Sequence, residues 1–197
     1  ISVREVLIGF KHIAKAIREF ETNESLLFAY EESYGYLAGD FVRDKDAVQI
    51  VPLIIKYASI LKNEGKTLLE ALNEIYDEVG EYRDKPTSKV FEGQAGQQHI
   101  ADIMTKVRQN VPDTIAGLEV VAVEDYQIQQ TLNKQTQTVE AITLPQADVI
   151  RIIFNEGFIA LRPSGTEPKI KFYISLCVDN FDQVTQDIYS YIFNEEE

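Results

Sequence analysis

The sequence predicts an α/β half followed by an α+β half whose sheet is antiparallel. In the first half, helical patterns of apolar residues alternate with short apolar runs, whereas in the second half several strand-like runs follow one another. The turn sequence Asn-Glu-Gly at residues 155–157 predicts a hairpin between two of these runs. Residues 81–96 show little periodicity and contain one proline and two glycines, so we interpret them as a crossover between domains. We therefore expect two domains, at residues 1–92 and 93–197.

The composition is that of a globular protein with a large excess of acidic residues. The 32 acidic side chains outnumber the 19 basic ones and give a formal net charge of −13. Nucleic acid and anionic membranes are bound by basic surfaces, so we expect neither as a partner. Cys177 is the only cysteine, which excludes an intrachain disulfide and favours the cytoplasm. An anionic ligand would therefore require a local basic cluster within a generally acidic molecule.

The first domain is predicted to begin with a short strand at residues 2–8, followed by an amphipathic helix and a second short strand. Residues 10–20 carry apolar side chains at helical spacing, with charged side chains on the other face. The apolar run at residues 26–30 predicts a short buried strand that enters a polar loop. This loop extends to Asp46, which can cap the following helix.

Two further helices are predicted in this domain. Residues 47–61 are apolar on most faces, which predicts a largely buried helix with a kink or a late start at Pro52. The sequence from Thr67 to Glu70 is a capping box, and it predicts a third helix that ends at about Val79.

The second domain combines two helices with an antiparallel sheet. Residues 97–109 show a buried stripe at helical spacing, and residues 180–193 form a second amphipathic pattern. The polar segment 125–140 is predicted to be a loop. Strands are predicted at residues 118–123, 149–154, 158–161 and 170–178.

A basic loop at residues 162–171, with the sequence Arg-Pro-Ser-Gly-Thr-Glu-Pro-Lys-Ile-Lys, joins the last two strands. The guanidinium of Arg162 offers a fork of donors that matches two phosphate oxygens. Ser164 and Thr166 add hydroxyl donors, and Gly165 allows backbone N–H groups to approach an anion. A solvated polar hairpin is the alternative, but it does not account for so many anion-binding groups in ten residues.

An acidic turn at residues 30–36, Tyr-Glu-Glu-Ser-Tyr-Gly-Tyr, is the second informative motif. From these residues alone, a solvated acidic turn is the favoured interpretation. The side chains of Glu31 and Ser33 could also accept hydrogen bonds from the hydroxyl groups of a ligand, while Glu32 is expected to point away from both in an extended segment. Tyr34 and Tyr36 are interpreted as packing residues, with stacking on a sugar as the alternative. Near this turn, Lys45 is either a ligand or a partner of Asp44 and Asp46 in a salt-bridged loop.

Both motifs, in this order, resemble those of the α-D-phosphohexomutases, the family of phosphoglucomutase and phosphomannomutase. The resemblance implies that the first half is part of a third, α/β domain. It also implies that the second half is a fourth domain with an antiparallel sheet of the TATA-box-binding-protein type. The start of the third domain and the domains before it would be missing from this chain, which makes them its expected partners.

The resemblance also implies the ligand positions and the reaction. Sugar ligands are expected at Glu31, Ser33 and Lys45, and phosphate ligands at Arg162, Ser164, Gly165, Thr166 and Lys171. The family converts hexose 1-phosphate and hexose 6-phosphate into each other, with Mg²⁺ and a hexose bisphosphate such as glucose 1,6-bisphosphate.

The chain lacks both family motifs that carry out phosphoryl transfer. The family's reactive serine lies in a Thr-Ala-Ser-His-Asn loop and its Mg²⁺ in an Asp-Gly-Asp-x-Asp-Arg loop, and neither occurs here. We therefore expect no catalytic residue and no metal ligand in this chain, which alone should be inactive. The alternative function is a stand-alone phosphosugar-binding module that carries out no catalysis.

Overall fold

The computed structural model describes residues 1–20, 24–165 and 167–193. The chain divides into two compact units, which we call unit 1 (Ile1–Val79) and unit 2 (Gly80–Glu197). This division lies before the predicted boundary at residue 92, because a strand in the predicted crossover pairs along its whole length with the sheet of unit 2.

The described residues of unit 1 form three helices and one small hairpin. Its elements are α1 (Phe10–Arg18), β1 (Ala29–Glu31), β2 (Gly35–Leu37), α2 (Ala47–Asn63) and α3 (Leu68–Val79). The strands β1 and β2 form a two-stranded antiparallel sheet, and β2 was not predicted.

The predicted starts of α2 and α3 are confirmed. The Asp46 side chain accepts a hydrogen bond of 2.9 Å from the backbone N–H of Val48, and it also contacts the Gln49 amide at 3.1 Å. At α3, the Glu70 carboxylate accepts hydrogen bonds from both the backbone and the hydroxyl of Thr67. Each interaction satisfies polar groups that a helix start leaves without an intrahelical partner.

The prediction that α2 is largely buried is wrong. Only Leu61 of this helix is buried, although α2 begins at Ala47 and continues through Pro52 without a late start. The buried cluster of unit 1 consists of Phe10, Ile17 and Leu37 with partly buried neighbours, and Leu61 does not belong to it. The apolar residues of α2 therefore lie mostly at the surface of the molecule.

Unit 2 is an antiparallel sheet with two long helices. Its elements are β3 (Arg83–Val90), α4 (Gly93–Gln109), β4 (Thr114–Ile115), β5 (Leu118–Asp125), β6 (Gln130–Asn133), β7 (Val139–Ala141), β8 (Ile150–Phe154), β9 (Gly157–Pro163), β10 (Lys169–Leu176) and α5 (Phe181–Phe193). The strand order is β3-β10-β9-β8-β5-β6-β7, with β4 paired to β5. All pairs are antiparallel, as predicted.

The core of unit 2 lies between one face of this sheet and the helices α4 and α5. The predicted stripe of α4, Ile100, Ile103, Met104 and Val107, is buried there. The strand β10 contributes Ile170, Phe172, Ile174 and Leu176 to this core. Side chains alternate between the two faces of a strand, so Lys169, Lys171 and Tyr173 lie on the other face of the sheet.

Three strands of unit 2 contradict the prediction of irregular structure. β3 lies within the predicted crossover, and β6 and β7 lie within the predicted loop at residues 125–140. These strands are polar, β7 is fully exposed, and β3 and β6 contain only exposed and partly buried residues, so they lack the apolar alternation from which a strand is predicted. Backbone pairing defines them instead: β3 pairs with β10, β6 with β5, and β7 with β6.

Candidate functional site

The basic loop connects β9 to β10 at one end of the sheet of unit 2. The backbone N–H of Ser164 donates a hydrogen bond of 2.8 Å to the carbonyl oxygen of Lys169, which closes the loop. The carbonyl oxygen of Pro168 accepts a hydrogen bond of 2.8 Å from the backbone N–H of Phe91. The loop is therefore closed at the start of β10 and bonded to Phe91, the residue that follows β3.

Arg162 and Lys171 are direct cross-strand neighbours in this unit. Lys171 pairs with Arg162 on β9 and with Ser88 on β3, so all three side chains lie on the face opposite the helices. Both cations are partly buried. Among the residues that the structure describes, neither has a hydrogen bond or an ion pair to a side chain.

This arrangement is unfavourable unless something negative binds there. Like charges directly opposite each other destabilise a sheet, and partly buried cations are usually paired. The acidic residue of the loop, Glu167, is bound elsewhere: its carboxylate lies 2.5 Å from the ammonium of Lys169. That hydrogen bond lowers the pKa of Glu167 below its usual 4.5. The Arg162–Lys171 pair is thus left available for an external anion.

The other predicted phosphate ligands are Ser164, Gly165 and Thr166, and the structure describes the first two. At Gly165 an added Cβ would have no atom within 4 Å, so the space above this residue is open. Ser164 is partly buried at the end of β9. Thr166 lies outside the described residues. Phosphate binding by these residues stays a prediction.

A cavity of about 420 Å³ lies between the basic loop and α4. Its lining includes Ser164 and Glu167 from the loop and Arg108 from α4. The guanidinium of Arg108 already lies 3.2 Å from the carboxylate of Asp125 and 2.5 Å from that of Asp148. An anion would therefore meet a neutralised cation in the cavity, whereas Arg162 and Lys171, on the opposite face of the sheet, form no ion pair with another described residue.

In unit 1, the structure brings Glu31 and Lys45 together. Glu31 ends β1, and its side chain is only 12% exposed. The ammonium of Lys45 lies 3.9 Å from the Glu31 carboxylate and 3.3 Å from that of Asp44. It also lies 5.6 Å from the centre of the Phe10 ring, a cation–π contact. The predicted pairing of Lys45 with Asp44 therefore occurs in this structure, whereas sugar binding by Lys45 stays a prediction.

Residues 32–34 form the turn of the β1–β2 hairpin, and Ser33 is exposed there. The alternation expected for an extended segment does not apply to a turn, so the reasoning that separated Glu32 from Ser33 is wrong. Tyr34 has a positive φ of 64° and is 83% exposed, and it does not pack in this unit as predicted. Tyr36 does pack, with its ring centre 6.1 Å from that of Phe28.

Two residues next to the predicted site were missed. Ser88 lies beside Lys171, but it belongs to β3, which was interpreted as part of a crossover. Gly35 is buried directly opposite Glu31 in the hairpin. Their proximity to Lys171 and Glu31, respectively, can be recognised only from the strand register.

Neither a metal cluster nor a membrane helix is found in the part of the chain that the structure describes. No group of three or more His, Cys, Asp or Glu side chains lies close enough to hold a metal ion among these residues. None of the described helices combines the length and the hydropathy needed to cross a bilayer.

Two family models match the chain in the order of its two units. Residues 1–79 match the model described as phosphoglucomutase/phosphomannomutase, alpha/beta/alpha domain III. Residues 106–177 match the model for the C-terminal domain of the same enzymes.

Proteins named phosphoglucomutase are similar to this chain over nearly all of its length. One from Staphylococcus haemolyticus is 72% identical over all 197 residues, which are 36% of that protein. Another from Staphylococcus epidermidis is 53% identical over 98% of the chain and 36% of the relative. The chain thus spans about a third of the length of the curated relatives it matches.

A solved structure supports the fold. The open form of pp63/parafusin from Paramecium, described as a phosphoglucomutase, matches 85% of this chain and 30% of its own with a TM-score of 0.57. At 17% identity this likeness concerns the fold alone.

Proposed function

Because the chain belongs to the phosphoglucomutase/phosphomannomutase family, we propose that it is the C-terminal, substrate-recognising part of a longer enzyme. That enzyme would interconvert glucose 1-phosphate and glucose 6-phosphate in the cytoplasm. Glucose is favoured over mannose because the similar Staphylococcus proteins are named phosphoglucomutase. The alternative of a stand-alone binding module is not favoured, because both matching models and these relatives are mutases.

The observation that carries this proposal is the pair of neighbouring cations at Arg162 and Lys171. They lie side by side on the face of the sheet that the helices leave uncovered, and the loop's own carboxylate is bound to Lys169 instead. A phosphate group would neutralise both cations, and the guanidinium can bind two of its oxygens. Ser164, Gly165 and Thr166 would add hydroxyl and backbone donors to the same phosphate.

Unit 1 would bind the hydroxyl groups of the sugar. The Glu31 side chain is largely buried, and its carboxylate lies 3.9 Å from the ammonium of Lys45. A carboxylate and an ammonium together can accept from and donate to adjacent hydroxyls. Ser33, exposed in the turn, would add a further hydroxyl.

The phosphoryl transfer itself would depend on residues outside this chain. Mg²⁺ neutralises charge in such reactions, but the described residues offer no cluster that fits it, so its ligands would lie in the preceding domains. Glucose 1,6-bisphosphate would be the intermediate that presents either phosphate to the basic loop. We expect no turnover by this chain alone.

The test is the affinity of the whole chain for α-D-glucose 1-phosphate, measured by calorimetry. Arg162→Ala should weaken binding by roughly 1.5–3 kcal/mol, the scale of a charged hydrogen-bonded contact. The control is Lys85→Ala, which removes a positive charge from the helix side of β3, where Lys85 lies 3.4 Å from Asp182. This control should bind as the unsubstituted chain does.

Equal affinity of Arg162→Ala and the unsubstituted chain would contradict the proposal. An equal loss in Arg162→Ala and Lys85→Ala would also contradict it, because it would indicate a general charge effect instead of a site. Mutase activity of the chain alone would show that the division between recognition and chemistry is wrong.

A further inference from the structure

Gly35 lies where the two proposed sugar-binding side chains of unit 1 meet. It is the cross-strand partner of Glu31 in the β1–β2 hairpin, and it is buried. Opposite residues of an antiparallel pair direct their side chains to the same face. The missing side chain of Gly35 therefore leaves a space beside Glu31.

The side chains of Glu31 and Lys45 occupy this space. A Cβ placed on Gly35 would lie 2.5 Å from Oε1 of Glu31 and 2.8 Å from Cδ of Lys45. Both distances are shorter than real Cβ contacts, so both side chains would have to move. The backbone next to Lys45 is bonded to the hairpin. The N–H of Asp46, the following residue, donates a 2.8 Å hydrogen bond to the carbonyl oxygen of Tyr36 in β2, which keeps Lys45 near Gly35.

The backbone does not explain why this residue is glycine. Gly35 is absent from the residues with positive φ, whereas Gly39, in the following loop, has a φ of 88°. An alanine at position 35 is therefore compatible with the backbone and would clash only with the far parts of two flexible side chains. The need for glycine here comes from the positions of Glu31 and Lys45.

We infer that Gly35 is a positioning residue of the sugar site. Its lack of a side chain sets where the Glu31 carboxylate and the Lys45 side chain lie, and thereby which hydroxyl geometry unit 1 accepts. This inference rests on the proposed binding of sugar hydroxyls by Glu31. Gly35 itself need not contact the ligand.

The test is a double-mutant cycle between Gly35→Ala and Glu31→Ala, with α-D-glucose 1-phosphate as the ligand. Binding is measured on the whole chain by amide NMR shifts of residues 31–37, so that the response of unit 1 is followed separately. Gly35→Ala alone should weaken binding by roughly tenfold, the effect of one displaced charged hydrogen bond. In the Glu31→Ala background the effect of Gly35→Ala should be smaller, because the Lys45 side chain is then the one that it still displaces.

A rescue variant separates positioning from a general structural defect. Glu31→Asp has a shorter carboxylate, so adding Glu31→Asp to Gly35→Ala should recover part of the lost affinity. The inference is overturned if Gly35→Ala binds normally, if its effect is undiminished in Glu31→Ala, or if it removes the amide dispersion of unit 1. Should Glu31→Ala itself bind normally, the proposed sugar site fails, which is a different result from failure of the Gly35 inference.

Discussion

Unit 2 buries its apolar residues, whereas unit 1 leaves many of its own at the surface. In unit 2, eighteen residues form one buried cluster between the sheet and two helices. In unit 1 the buried cluster has three residues, while α2 and α3 expose large apolar side chains such as Ile55 and Leu69. An exposed apolar face of this size is typical of a surface that another part of a protein covers.

The difference shows what each unit requires in order to be stable. Unit 2 contains both layers that its core needs, the sheet and the helices, within one stretch of chain. Unit 1 has helices composed for burial, but its described residues contain only two strands of three residues each as a sheet. We expect the longer protein proposed above to cover these helices.

The largest predicted effect is on the free energy of unfolding, and it compares an isoleucine-to-alanine substitution in each unit. Ile152 in β8 is fully buried and Ile55 in α2 is 59% exposed. Ile152→Ala should lower the free energy of unfolding of unit 2 by about 2–5 kcal/mol, because it removes buried contacts and leaves a cavity. Ile55→Ala should change the stability of unit 1 by about 0.5 kcal/mol or less. Amide hydrogen exchange of the strands and helices measures both values in the whole chain, and similar losses would refute the contrast.

A smaller effect is expected from placing charge on the exposed apolar face. Ile55→Lys with Leu69→Lys should reduce the fluorescence of a bound hydrophobic dye without unfolding unit 1, because both side chains already face solvent. The matched control is Leu61→Lys, since Leu61 is the buried residue of α2 and its replacement should unfold the unit. Unfolding in the double variant would mean that the face is covered within this chain.

The sequence predicts the burial of its helices better in unit 2 than in unit 1, for the same reason. The stripe of α4 was predicted correctly because its partners lie in the same unit, so the pattern and the burial agree. The composition of α2 predicted burial that unit 1 does not provide. β3 was missed because it is an edge strand rich in lysine with a central proline, a composition that protects an exposed edge and hides the apolar alternation.

The candidate site was predictable in its residue types but not in its arrangement. The basic loop and the acidic turn were identified from residues whose chemistry suits phosphate and hydroxyl groups. That Lys171 lies between Arg162 and Ser88 depends on the register of three strands. The role inferred for Gly35 likewise depends on the hairpin that pairs it with Glu31.

The smallest predicted effect concerns the pH dependence of the basic loop. Lys169 lowers the pKa of Glu167 below 4.5, so the ion pair should persist from neutral pH down to that value and be lost as the pH falls through the lowered pKa. In Lys169→Met, the NMR titration midpoint of the Glu167 carboxyl group should rise toward 4.5. An unchanged midpoint would mean that Lys169 does not hold Glu167 away from the Arg162–Lys171 pair.

The central claim is that the two units recognise different parts of one class of ligand. The most direct test is an amide NMR titration of the whole chain with two probes, inorganic phosphate and α-D-glucose 1-phosphate. Phosphate should shift only the resonances of residues 162–171 and their strand neighbours in unit 2. Glucose 1-phosphate should add shifts at residues 31–37 of unit 1. Phosphate shifts centred on α4 beside the cavity, or identical responses to both probes, would contradict the account.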